Sequence, residues 1–146
     1  MKKIRLGVKK RNVSYDFRET CFGIVYKNGE FYLTEKDREI SLVGGGVEKG
    51  ETHIDTLKRE FLEEAGLTIT GCREFITIDC FWQTRNKKHM ESLANFYIVE
   101  VSDNIIEATE KESKLVIAKP DNLEDKLLLP YQKEAIRLFF EMISKN

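Results

Sequence analysis

Three consecutive glycines, Gly44, Gly45 and Gly46, close a short apolar run of Ile40, Ser41, Leu42 and Val43, and the hydrophobic pattern changes period just after them. Downstream, Ile54, Leu57, Phe61, Leu62 and Ala65 recur at mostly three- and four-residue steps. That spacing predicts an amphipathic helix over residues 52–65, ended by Gly66 as a left-handed cap. Upstream, residues 3–9 alternate basic and apolar, as a strand with one wet face does, and the lysines suit a protected edge. Residues 21–26 and 31–34 flank Asn28 and Gly29, a strong hairpin signal. Strand-like runs return at 74–79, 93–101 and 114–118. A short helix is expected from Asp121, and Pro130 opens a last helix with Tyr131, Ala135, Leu138, Phe139 and Met142 on one face. Strands, helix, strands, helix argues for an α/β domain in which a mixed sheet is sandwiched between helices, α/β/α.

The chain of 146 residues fits a single domain over 1–146, and its 41% hydrophobic content supports a core. Twenty-four basic against 25 acidic residues give a net charge of -1, which excludes global attraction to a nucleic-acid tract or an anionic membrane. Six of the first eleven residues are basic, whereas four glutamates lie between Glu51 and Glu64. Cys21, Cys72 and Cys80 make no C-x-x-C pair and read as buried free thiols. With no apolar run long enough for a signal peptide or a bilayer span, the expectation is a cytoplasmic protein without a membrane partner.

Glu60, Glu63 and Glu64 stand three and four residues apart, so a helix of about 3.6 residues per turn carries them on one face. Carboxylates so placed repel one another, and the compensation available is Arg59 beside them or a divalent cation. Oxygen ligands alone select hard metals, Mg²⁺ with Mn²⁺ as the alternative. The glycines upstream free the backbone to approach a ligand with its own polar groups. A P-loop shares the spacing of Gly45, Gly50 and Thr52, but Glu51 stands at its lysine position and reverses the charge that phosphates need.

From Gly45 to Leu67 the segment resembles the Nudix box: Gly, five residues, Glu, seven residues, Arg-Glu, an apolar residue, any residue, Glu-Glu, any residue, Gly, an apolar residue. Gly45, Glu51, Arg59, Glu60, Phe61, Glu63, Glu64, Gly66 and Leu67 meet every fixed position. Seven fixed identities arise by chance on the order of once in 10⁸ starting positions. The resemblance implies the Nudix fold and hydrolysis of a pyrophosphate bond in a nucleoside diphosphate linked to another group. It also implies that Glu60, Glu63 and Glu64 hold metal, that Gly44 or Gly45 completes the coordination through its backbone, and that Arg59 orients a catalytic glutamate. Glu63 or Glu64 is expected to hold the metal that activates water. Three departures stand out: Val43 where many members have proline, Phe61 at a position usually aliphatic, and Thr56 with Leu57 in place of small residues.

A general base in this family often comes from outside the box, and Glu91, read in a loop of residues 85–91, is the candidate, ahead of His89 and His53. Trp82, or Phe81, could stack on a base and Arg85, with Lys87 and Lys88, could meet phosphates. No proline lies between Gly66 and Pro120, which argues against an ADP-ribose enzyme, and the marks of diadenosine polyphosphate, NADH and coenzyme A hydrolases are missing. The expected substrate is a small nucleotide, a nucleoside triphosphate or modified nucleotide, as for mutator-type pyrophosphatases. A sensor domain that binds nucleotide without turnover is the alternative, and a homodimer through the aromatic last helix is compatible with the sequence.

Overall fold

The computed structural model describes residues 1–145. Eight strands form one mixed sheet: β1 (Lys3–Leu6), β2 (Asp16–Ile24), β3 (Tyr26–Lys27), β4 (Glu30–Lys36), β5 (Glu39–Gly46), β6 (Ile69–Gln83), β7 (His89–Val101) and β8 (Ser113–Ala118). Their order is β1-β6-β7-β2-β5-β4-β3, with β8 paired to β4. β1 with β6 and β2 with β7 are parallel, and the other pairs are antiparallel. Helices α1 (His53–Ala65), α2 (Leu123–Lys126) and α3 (Pro130–Ser144) complete the fold. Among the described residues no helix is long and apolar enough to cross a membrane.

Both faces of the central strands are buried, so adjacent residues serve different cores, and the strands read as continuous apolar runs. Cys21, Val43, Leu57, Phe61, Tyr97 and Val99 pack on the α1 side, and Phe22, Phe96, Tyr131, Ala135, Ile136 and Phe139 pack on the α3 side. This confirms the sheet between helices. Pro130 occupies the first turn of α3, as expected. Thr52 caps α1 by accepting from the Asp55 N–H at 3.1 Å, while Asp55 accepts from the Thr52 N–H at 3.0 Å. Gly66 ends the helix at φ 63° and ψ 31° and donates to the Leu62 carbonyl at 3.2 Å.

Several boundaries differ from the sequence reading. The Asn28–Gly29 turn has φ of 55° and 77° but joins β4 to the two-residue β3, while β2 leaves the hairpin to pair with β5 and β7. The glycines belong to a strand: Gly44, Gly45 and Gly46 pair with Phe22, Cys21 and Thr20. β6 and β7 extend well beyond residues 74–79 and 93–101, leaving a tight turn at 84–88 closed by Thr84 N–H to the Lys88 carbonyl at 2.9 Å. Polar residues at the strand ends hid this extension. Cys21 and Cys80 are buried, but Cys72 is exposed, a correction to the expectation of three buried thiols.

Candidate active site

The geometry of the box centres on Arg59. Its Nε donates to Glu51 Oε2 at 2.8 Å and its Nη2 to Glu51 Oε1 at 3.0 Å, a parallel pair that only a planar guanidinium can make. Nη2 also donates to the Gly46 carbonyl at 3.0 Å, and Nη1 reaches Glu60 Oε1 at 2.5 Å and Glu63 Oε2 at 3.4 Å. Glu51 accepts two further bonds, from the Glu48 N–H and the Thr56 hydroxyl, each at 2.9 Å. The Arg59 charge and these donors hold the Glu51 carboxyl down at about 2. Thr56, which departs from the small residue expected there, thus has a defined task.

Glu64 sits deeper. It accepts from the Gly44 N–H at 3.1 Å, which ties the helix to the end of β5. Burial, and then the Glu60 charge, push its carboxyl up to about 8, against the pull of the Gly44 N–H. Burial also pushes Glu60 up, opposed by Arg59. A Cβ built on Gly45 would lie 2.9 Å from Glu60 Oε1, so only glycine lets this carboxylate lie against the strand. Glu63 is 41% exposed and faces solvent. Among the described residues no three acidic, cysteine or histidine side chains converge as a ready metal cage, and Arg59 engages Glu60 and Glu63. The donors present are nevertheless carboxylate oxygens only, two of them crowded together in excess negative charge, a set that fits a hard divalent cation.

The bulky Phe61 fits because its partner is small. Its ring lies where a side chain on Gly23 of β2 would be, with Cζ 2.5 Å from a built Cβ.

A model of the NUDIX domain matches residues 18–139. The chain belongs to the Nudix family. Two solved structures share this Nudix fold. A NUDIX hydrolase from Nitrosomonas europaea is 16% identical with a TM-score of 0.66, the match covering 86% of this chain and 90% of that one. A mutator MutT protein from Bacillus halodurans is 22% identical with a TM-score of 0.67, over 82% and 80% of the two chains. A comparison with curated proteins gives no sequence match.

Outside the Nudix box the structure sorts the remaining candidates. Glu91 lies on β7, not in a loop, because the strand begins at His89. It stands opposite Phe81 and Phe17, with Asp79 as its carboxyl neighbour and Lys9 and Lys3 nearby, and the structure does not bring it to the box glutamates. Glu110, which sequence reasoning missed, lies nearer: its backbone N–H donates to the Glu63 carbonyl at 2.8 Å, its carboxylate accepts from Lys36 Nζ at 3.1 Å, and its charge helps raise Glu64. Only the long connection between β7 and β8 brings it there, and no local pattern marks it. His53 belongs to the sheet's hydrogen-bond network, with Nε2 at 3.1 Å from Glu19 Oε2 and Nδ1 at 2.7 Å from the Tyr97 hydroxyl. His89 packs edge-on to Tyr15.

Trp82 and Arg85 line one cavity of about 480 Å³, together with Ser41, Gln83, Pro130 and Gln132. Trp82 Nε1 donates to Ser92 Oγ at 2.9 Å, which fixes the indole plane, and Tyr131 packs against it edge to face. Phe81 points to the other side of the sheet, beneath Arg5 and Lys9, and cannot share this role. Buried Gln132 accepts from the Leu42 N–H at 2.9 Å and so joins α3 to β5 two residues before Gly44. Arg18 of β2 lies against Gly46, a residue no motif singled out.

Proposed function

We propose that this Nudix protein is a divalent-metal-dependent diphosphohydrolase of a nucleoside triphosphate or modified nucleotide, in the manner of the mutator-type members. The observation that carries this reading is the crowding of Glu60 and Glu64 beside the Gly44 amide, where burial and mutual repulsion make two negative charges costly without a cation.

Glu60, Glu63 and Glu64 would hold Mg²⁺, with Mn²⁺ able to replace it, and the Gly44 backbone is the nearest main-chain group. The metal, when bound, neutralises phosphoryl oxygens and lowers the pKa of water. The chain's own residues do the rest. Arg59 fixes the spacing of Glu51, Glu60 and the Gly46 carbonyl, so the carboxylates are placed before substrate arrives. Trp82 offers a flat surface for an aromatic base, and Arg85 stands at the rim of the same cavity for an anionic group. Water attacks one phosphorus, the bridging oxygen leaves with the other phosphoryl group, and a carboxylate takes the proton of the attacking water. Glu110, whose charge acts on Glu64 and whose carboxylate pairs with Lys36 at 3.1 Å, is our candidate for that base, in preference to Glu91.

Phosphate and pyrophosphate release from a panel of canonical and oxidised nucleoside triphosphates, with and without Mg²⁺, tests the reading. Turnover of at least one compound is expected, with Glu110→Gln slowing it at least tenfold and Glu91→Gln leaving it within about twofold. Tight nucleotide binding without turnover of any compound would instead indicate a sensor.

A further inference from the structure

Gly45 and Gly46 present opposite sides of one strand. On one side Glu60 fills the space beside Gly45, and on the other Arg18 fills the space beside Gly46. A Cβ built on Gly46 would lie 2.9 Å from Arg18 Nη2 and 3.1 Å from Nε, so any side chain at position 46 would displace the guanidinium. Only main chain separates an arginine from the carboxylate cluster.

Among the described residues Arg18 has no anionic partner. Among the described residues no carboxylate lies within 4 Å of its guanidinium, although the neighbouring Asp16 is paired with Lys88 and Glu19 is engaged by Asn95 and His53. The strand register sets Arg18 beside Ser92, the residue that fixes the Trp82 indole. Its charge also reaches the Tyr131 hydroxyl, on the α3 side of the sheet where the cavity opens. The exposed guanidinium therefore stands between the aromatic cavity and the glycine strand, with its donors unused among the described residues.

We propose that Arg18 is a phosphate-binding residue: it grips the phosphoryl group that joins the moiety held against Trp82 to the pyrophosphate held at the box. This rests on the diphosphohydrolase reading and adds the substrate's shape. A planar fork with free N–H groups suits two oxygens of one phosphate, which a lone ammonium cannot match. The bound molecule carries an aromatic group, then a phosphate at Arg18, then the bond to be cleaved, so the nucleoside lies on the α3 side of β5 and the reacting phosphates cross over the glycines. Substrates lacking a phosphate directly on the nucleoside would lose this contact.

Steady-state kinetics on each nucleoside triphosphate that the wild-type protein turns over, with Arg18→Ala, Arg18→Lys and Gly46→Ala, test it. Arg18→Ala should raise KM at least tenfold while kcat falls less than threefold. Arg18→Lys should recover part of the loss, and Gly46→Ala should also raise KM. Inhibition by the parent nucleoside, which has no phosphate, and Mn²⁺ affinity by electron paramagnetic resonance should be unchanged in Arg18→Ala. A KM within twofold of wild type, or an equal loss of nucleoside affinity, would overturn the assignment. If the wild-type protein hydrolyses nothing, the catalytic reading fails, and calorimetric titration with the Mg²⁺ α,β-methylene analogues of the same panel reads Arg18 alone. Equal affinity in wild type and Arg18→Ala, or no binding by wild type, then overturns it.

Discussion

Arg59 and Glu51 face each other across the start of α1 in a two-bond fork, Nε to Oε2 at 2.8 Å and Nη2 to Oε1 at 3.0 Å. The same guanidinium reaches the Gly46 carbonyl and Glu60, so one side chain sets the distance between helix and glycine strand. Replacement by lysine keeps the charge and loses the fork. Arg59→Lys should lower metal-dependent turnover at least tenfold, about 1.4 kcal/mol in the barrier. Near wild-type kcat in that variant would show that charge alone suffices.

The fork also has a pH signature. The folded state holds the Glu51 carboxyl at about 2, below the ordinary 4.5, so folding releases a proton in that window. The associated stability is fully present above pH 4.5 and is lost as pH falls towards 2. Thermal melts of wild type and Glu51→Gln should therefore show a gap at neutral pH that narrows on acidification. A gap that stays constant from neutral pH to the acid end would dissociate Glu51 from this linkage.

Glu64 has the opposite sign. Its folded carboxyl is pushed up to about 8 from 4.5, so the metal-free folded protein keeps a proton that the unfolded chain releases, and stability declines as pH rises through that interval. With chelator present, Glu64→Gln should melt above wild type at pH 8 and approach it near 4.5. With Mg²⁺ and substrate, both Glu64→Gln and Glu63→Gln should lose at least about tenfold in turnover. Activity retained in both would remove Glu63 and Glu64 from the metal site.

Gly23 and Phe61 form a size-matched pair. A methyl group on Gly23 would come within 2.5 Å of the Phe61 ring and 2.8 Å of Val99 Cγ2. Gly23→Ala should cost about 1–3 kcal/mol by overpacking. Adding Phe61→Leu should return part of it, and denaturant unfolding of the three variants checks this. Additive losses in the double variant would mean that the two positions do not share the space.

Much of the fold was legible because its signals are local. The period change at Gly46, the capping residues Thr52 and Gly66 and the first-turn Pro130 each act within a few residues of where they stand. The box likewise announces its glutamates by spacing along one helix. What the sequence hid depends on pairing between distant strands. His89, Met90 and Glu91 read as loop because polar residues give no apolar alternation, yet they complete the ladder against Phe81, Trp82 and Gln83. Glu110 and Arg18 escaped for the same reason: one reaches the box through a long connection and the other across two strands, and neither has a neighbour in sequence to betray it.

The bare strand at Gly45 and Gly46 leaves no side chain to buffer one side of the site from the other. A change that enlarges either position pushes on the Glu60 carboxylate or the Arg18 guanidinium directly, so its cost should fall on the site more than on the fold. Attempts to redesign which molecule is accepted therefore have more freedom at the far wall, around Gln83 and Arg85, than at this thin partition. On the proposed role of Arg18, exchanging Gly46 for a larger residue would move the anion-binding guanidinium as well.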